Sequence, residues 1–246
     1  MRMSNKTAIL IVSYNMPERA DALAEHIKRT VKCPYDLYLI DNGSDLVPPA
    51  ENTNVFIPRN VQTTNGWLKG MEAADQSGED YFAYWFLITS AEFLPGDEDP
   101  LSPMVDLLAN FQDAVGVHPA LTEDSTTVWG YLRTQGGREP REVHHIDVIA
   151  ALFRADWFNE IGRFDPQLYM AHGICLETCW MARKQGRSIW VDERSRIKKV
   201  TDIGYVMNRM NMSSNDRLAL ARANMDAVFI PRYGPNYWQR LQYDYR

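Results

Sequence analysis

The feature that most narrows the fold is an unbroken apolar run near the start of the chain, Thr7-Ala8-Ile9-Leu10-Ile11-Val12. Alternating apolar and polar residues would mark a strand with one wet face, whereas a continuous run marks a strand covered on both faces. Such a strand sits in a sheet with helices on either side, and the residues that follow agree. Pro17 suits a first helical turn, Asn15 can cap it, and Leu23, Ile27 and Val31 recur at helical spacing, which predicts a helix over residues 17–32. A second strand over residues 36–40 runs into the acidic turn Asp41-Asn42-Gly43-Ser44-Asp45. Further strands are expected at 54–57, 81–88, 115–118 and 146–153, with helices near 66–77, 101–112 and 155–161. The alternation implies an α/β fold, with a mostly parallel central sheet flanked by helices.

Composition bounds the rest. A length of 246 residues is within reach of one hydrophobic core, so a single domain is expected. With 45% hydrophobic and 24% charged residues the chain reads as globular, and no apolar run approaches the roughly 20 residues that a bilayer requires. A net charge of -6 argues against nucleic acid as a partner and against broad binding to anionic membranes. Cys33, Cys175 and Cys179 are too few and too scattered for a disulfide framework, and the N-terminus lacks the apolar core of a signal peptide. A cytoplasmic location, including the periphery of a membrane, is the expectation.

Strand–helix alternation is common to many nucleotide binders, so the phosphate-binding device discriminates. A dinucleotide site needs a glycine-rich turn directly after the first strand, and a P-loop needs GxxxxGK[ST]. Here that turn is Ser13-Tyr14-Asn15-Met16-Pro17, and the first glycine of the chain is Gly43. The same lack of a glycine-rich basic loop speaks against a nucleotidyltransferase. What remains is a polar turn after strand one and an acidic turn after strand two, both at the carboxyl edge where open α/β sheets hold ligands.

Ile11-Val12-Ser13-Tyr14-Asn15, Asp41-Asn42-Gly43-Ser44-Asp45 and Asn65-Gly66 resemble the successive signatures of family 2 glycosyltransferases, which have the GT-A fold. The resemblance continues through Phe164-Asp165, the stretch from His172 to Glu177, Arg183-Lys184-Gln185-Gly186 and Ile189-Trp190-Val191, and covers roughly residues 7–200. It implies a nucleotide diphosphate sugar as donor and a hexosyltransferase-type reaction with inversion, onto a glycan, lipid-linked or small-molecule acceptor. It also implies a nucleotide-binding half over about 1–95, an acceptor half over about 96–202 and a C-terminal helical extension over about 203–246. Ser13, Tyr14, Asn15, Asp41 and Asn42 would hold the nucleoside, with Arg19, Asn65 and Gly66 nearby. A tyrosine ring offers a stacking face, and a carboxylate accepts from ribose hydroxyls or a base N–H. The other reading of Asn15 and of Asp41 to Gly43 is a helix cap and a plain turn. Glu177 matches the surviving carboxylate of the family's base motif, whose other acidic position is Cys175 here. In a first helical turn the dipole would keep Glu177 ionised for proton abstraction, or it would serve that dipole alone. Asp165 is the next candidate.

The family ends its fourth strand with an aspartate motif that carries a divalent cation, Mn or Mg, on the donor diphosphate. This chain has Thr89-Ser90-Ala91-Glu92 there, with only Glu92 offering charge to a metal. Downstream, where the family often has a histidine, stand Lys198 and Lys199. Hydroxyls plus a lysine would bind a diphosphate that aspartates without metal would repel. Metal-independent transfer follows, with Lys198 acting on the leaving group and Thr89, Ser90 and Lys199 on the phosphates. Two other readings stay open: a protein of the same fold that binds a nucleotide sugar without catalysis, and lysines that simply face water.

Outside these motifs, His172, Cys175 and Cys179 share a helical spacing, which packing explains better than zinc because no fourth ligand is placed. His144, His145 and His172 are acceptor-side candidates. The polar segment over residues 122–142 reads as a mobile loop in which Trp129 and Tyr131 either stack on a sugar or anchor the loop. Ser213 to Asp216 looks like a cap for a helix running to about Phe229, and the aromatic tail beyond Tyr233 is expected to pack on the domain.

Overall fold

The computed structural model describes residues 6–96, 98–200 and 213–243. The proposed boundary at residues 202 and 203, and the last three residues of the tail, fall outside them. The apolar run becomes β1, Thr7–Ser13, buried along its whole length. It lies between β2, Tyr35–Asn42, and β4, Ala83–Ile88, both parallel to it, and β2 pairs in parallel with β3, Val55–Ile57. Helix α1, Pro17–Thr30, crosses from β1 to β2 and buries Leu23 and Ile27. Helix α2, Thr63–Gln76, crosses from β3 to β4 and buries Trp67 and Met71. Each such side chain removed from water contributes about 1.5–3 kcal/mol, which is what fixes the helices to the sheet.

The second half adds β5, Ala91–Phe93; α3, Ser102–Asn110; β6, Ala114–Leu121; β7, Arg141–Glu142; β8, Leu152–Arg154; α4, Ala155–Glu160; α5, Ile174–Lys184; and β9, Ser188–Lys199. The sheet order is β3-β2-β1-β4-β8-β6-β9-β5, with β7 beside β9. Pairing of β6 with β9 is parallel, while β8, β5 and β7 run antiparallel to their neighbours. The strand expected over 146–153 is regular only at its end. Before Leu152 the chain still follows β4, with Phe86 N–H donating to the Ala151 carbonyl at 2.9 Å and Ile88 N–H to that of Ile149 at 3.3 Å. A turn at Val148–Ile149 precedes the regular strand, so sequence apolarity here reports burial and not strand geometry.

Helix α6, Ser214–Tyr233, opens on a capping box in which Ser213 and Asp216 bond each other's backbone N–H, and it runs a turn further than its expected end. A last helix, α7, Tyr237–Tyr243, tucks Tyr237 and Leu241 into the core. One apolar cluster runs from Ala8 to Leu241 and is densest where Phe86, Phe153, Phe158 and Phe164 meet. Among the described residues no helix is long and apolar enough to cross a membrane.

Candidate functional site

The carboxyl ends of β1 and β2 are laced together by side chains from two turns. Asn15 takes a positive φ of 56°, and its carbonyl oxygen accepts from the backbone N–H groups of Asp45 and Leu46 at 3.2 and 3.1 Å. Its amide nitrogen donates to the Asp45 carboxylate at 3.0 Å. Backbone N–H of Asn15 donates to Ser44 Oγ at 2.9 Å, and that of Ser44 to Asp41 Oδ2 at 3.1 Å. Asn15 therefore does not cap α1: Met16 occupies that position without a side-chain bond. An Asx side chain bonded to a neighbouring turn cannot also serve the helix, and the turn–turn bonds win here. Ser13 and Asp41 are register partners and both are buried. The second oxygen of Asp41, Oδ1, has no hydrogen-bond partner among the described residues. A buried acceptor in that state costs about 1–3 kcal/mol, but Asp41, like Ser13, Asn15 and Arg19, does not line the cleft above these turns.

Above these turns opens a cleft of about 560 Å³ that Tyr14, Asn42, Asn60 and Gln62 line. Tyr14 hydroxyl donates to Asp45 at 3.0 Å, which leaves the ring edge-fixed at the rim. Gln62 and Ala171, both lining the cleft, also hold positive φ, at 69° and 64°. Strained non-glycine backbone of this kind collects at functional sites. Gly66 sits in α2, where a Cβ would lie 3.0 Å from Val12 and 3.4 Å from Asn42. Its role is close approach of helix to strand, and neither it nor Asn65 lines the cleft.

The floor is the end of β4, where Thr89 and Ser90 are buried and Thr89 hydroxyl donates to Met16 Sδ at 3.1 Å. Pairing of β5 with β9 sets Ala91 opposite Lys199 and Glu92 opposite Lys198. Neighbouring strand residues point to opposite faces, so only one of the two lysines reaches the cleft. It is Lys199, whose ammonium donates to Ser90 Oγ and to the Val200 carbonyl. Burial lowers its pKa to about 8, with Asp147 working against the shift and Arg217 and Arg19 adding to it. Arg217 of α6 lines the cleft beside it, and burial lowers its pKa too. Lys198, expected to act on the leaving group, points outward to an ion pair with Asp124. The donor set does not fit a divalent cation: two neutral hydroxyls, one already holding an ammonium, and an exposed Glu92 set against Lys198. Among the described residues no group of three or more His, Cys, Asp or Glu converges.

His145, Asp147, His172, Cys175 and Leu176 also line the cleft, with Asp147 within electrostatic reach of Lys199. Asp147 is the one carboxylate among the described residues that line it. Burial raises its pKa, against the pull of His172, the Val148 backbone N–H, Lys199 and the Trp129 indole. His145 packs on Trp129 at 4.3 Å, and Trp129 stacks on Trp238 of α7 at 5.8 Å and 12°. Burial holds His145 neutral, far below the ordinary imidazole range. His144 lies behind, against Tyr131 at 4.6 Å, and does not line the cleft. The segment expected to be a mobile loop is anchored instead. Buried Glu193 accepts from Thr134 Oγ1 at 2.7 Å, Gln135 N–H at 3.1 Å and Arg141 Nε at 3.0 Å.

Glu177, the expected base, faces away. Gly173 opens α5 at φ 87°, where a Cβ would meet Phe229 at 2.7 Å, so only glycine lets the helix start this close to α6. Two helical positions differ by about 200°, so with Cys175 facing the cleft Glu177 faces the other side. There it accepts from Tyr233 hydroxyl at 2.6 Å and Arg232 at 3.3 Å, while Arg232 also reaches Asp165 at 2.5 Å. Neither Glu177 nor Asp165 lines the cleft. Both tie α6 to the domain, and burial raises the Glu177 pKa.

Asp147, Arg217 and Trp238 are among the cleft residues that no motif in the sequence marked, as are Asn60 and Gln62. Asp147 stood inside an apparent strand, where the only signal was a carboxylate interrupting an apolar run. Arg217 and Trp238 lie beyond the last family-like motif.

A crystal structure of GalNAc-T7 with UDP, GalNAc and Mn2+ is similar to the chain with a TM-score of 0.60 at 14% sequence identity. The similarity covers 82% of this chain and 45% of that one, so the chain spans less than half the length of the protein it matches. No protein-family model and no curated protein matches the chain. The likeness in three dimensions identifies the fold as GT-A, the fold of nucleotide-sugar glycosyltransferases.

Proposed function

We propose that the chain transfers a sugar from a nucleoside diphosphate donor to an acceptor hydroxyl, with the diphosphate held by Lys199 and Arg217 in place of a divalent metal. The observation that carries this is that two half-buried cations, Lys199 and Arg217, line one cleft with Thr89 and Ser90 after β4, with the Lys199 ammonium donating to Ser90 Oγ. In a GT-A fold the same sheet edge holds the donor, and the similar structure was solved with UDP and GalNAc.

In this reading the base stacks against Tyr14 beside Asn42 and Asn60, and the pyrophosphate crosses the end of β4 to the two cations. A partly desolvated ammonium and guanidinium stabilise charge on the departing diphosphate more strongly than exposed ones would. A family 2 hexosyltransferase acting by inversion, in the cytoplasm, fits the motifs that the chain shares with that family. Calorimetry of the protein with UDP, GDP and dTDP, each in excess chelator and in manganese, tests it. Binding of one nucleoside diphosphate is expected to persist in chelator. Binding that vanishes in chelator and returns with manganese would overturn the metal-free part, and no binding under either condition would overturn the whole.

A further inference from the structure

We propose that Asp147, and not the helix carboxylate Glu177, takes the proton from the attacking hydroxyl, and that the Trp129–Trp238 stack holds it in position. The proposal rests on the sugar-transfer reading above and names the residue that reading leaves open.

Three observations converge on it. Asp147 is the one carboxylate among the described cleft-lining residues, and it shares the cleft with Lys199 and Arg217, within electrostatic reach of Lys199. Glu177 is spoken for by Tyr233 and Arg232 on the far side of α5, with Cys175 at the helix position that faces the cleft. Asp147 stands just before the turn at Val148–Ile149 that leads into β8, and the Trp129 indole, in contact with both His145 and Trp238, sits against its carboxylate. Burial raises the Asp147 pKa, which moves it toward the range where a general base both ionises near neutral pH and accepts a proton readily. The titratable groups that face it are His172, Lys199, Cys175, Cys179 and Tyr131.

The step balances. The acceptor oxygen gives its proton to Asp147 and its electron pair to the anomeric carbon. The bond from that carbon to the diphosphate oxygen breaks on the opposite side, and the diphosphate leaves with the pair, its added charge facing Lys199 and Arg217. Trp129 and Trp238 touch no reacting atom in this scheme and are positioning residues.

Water can stand in for the acceptor, so no acceptor need be known. UDP-glucose, UDP-N-acetylglucosamine, GDP-mannose and dTDP-rhamnose are incubated with the wild-type chain and with Asp147→Asn, Glu177→Gln and Trp238→Ala. Release of nucleoside diphosphate is followed from pH 5 to 9, and calorimetry with UDP, GDP and dTDP reports folding and donor binding of each variant. Asp147→Asn should bind within about twofold of wild type and lose at least about 100-fold in release rate, together with the acid limb of the pH profile. Glu177→Gln should keep the rate. Trp238→Ala should lower kcat by about tenfold with KM unchanged and shift the acid limb, which a merely structural role would not do. The proposal is overturned by Asp147→Asn releasing product at the wild-type rate, by Glu177→Gln losing the rate with binding intact, or by a wild-type chain that binds a nucleoside diphosphate yet releases none. Absence of binding by the wild type ends instead the functional reading beneath it.

Discussion

The two rims of the cleft are built by opposite means. The rim proposed to hold the nucleoside is local: Tyr14 and Asn15 on one turn, Asp41 to Asp45 on the next, joined within about one strand–helix–strand unit. The opposite rim collects Ser90, Asp147, Lys199, Arg217 and Trp238 from elements spread over more than half the chain. A local rim is secured by short side-chain–backbone bonds that survive most changes elsewhere. A dispersed one depends on helix rotation, strand register and the docking of the C-terminal helices, so its residues are exposed to larger losses when one is changed.

The largest loss is expected at Lys199. A charge-assisted bond from a half-buried ammonium contributes about 1.5–3 kcal/mol, so Lys199→Ala should weaken nucleoside diphosphate binding in chelator by on the order of 10- to 100-fold. Lys198→Ala, one residue away on the outer face, should change it by less than about twofold. Titration calorimetry of the two variants decides, and a larger loss in Lys198→Ala would reverse the assignment of faces. The sign of the pH effect follows from the lowered pKa. Bound diphosphate favours the ammonium, and the free side chain gives up its proton near pH 8. Affinity should then be flat below that pH and fall above it by at most about tenfold per pH unit as binding comes to require proton uptake. In Lys199→Ala that slope should disappear.

That contrast between rims also explains what the sequence could tell. β1, β2, α1, α2 and the two turns were legible because burial on both faces, helical spacing and turn chemistry are written within a dozen residues. Glu177 misled because matching a motif fixes a position along a helix without fixing which side of the cleft its side chain takes; that is set by packing of α5 against α6. The choice between Lys198 and Lys199 needed the β5–β9 register. Asp147 was hidden because the apolar residues around it read as a strand, whereas the chain there is irregular and regular β8 begins only at Leu152. Arg217 reaches the cleft only through the docking of α6, which no short-range pattern encodes.

The middle-sized effect separates anchoring from chemistry on the dispersed rim. Removing the Glu177 carboxylate leaves Tyr233 hydroxyl without its acceptor and Arg232 with Asp165 alone. Glu177→Ala should therefore lower unfolding stability by about 1–3 kcal/mol in urea titrations. Glu177→Gln can still accept from Tyr233 and should cost less than half of that. Equal losses in the two variants would place the stabilising interaction in the Arg232 charge pair rather than in the Tyr233 bond.

The smallest effect is expected on the local rim, at Tyr14. Its hydroxyl bond to Asp45 is exposed and bridges turns that Asn15 and Ser44 already join, so Tyr14→Phe should leave nucleoside diphosphate affinity within about twofold. Tyr14→Ala removes the ring from the cleft wall as well. Aromatic stacking contributes about 0.5–1.5 kcal/mol beyond area, so affinity should fall about fivefold, measured against UDP, GDP and dTDP in parallel. A drop as large in Tyr14→Phe as in Tyr14→Ala would mean that the hydroxyl, by holding the Asp45 turn, does the work assigned to the ring. In that case the two rims would differ less than their construction implies, because the nucleoside side would also depend on a contact that reaches across elements.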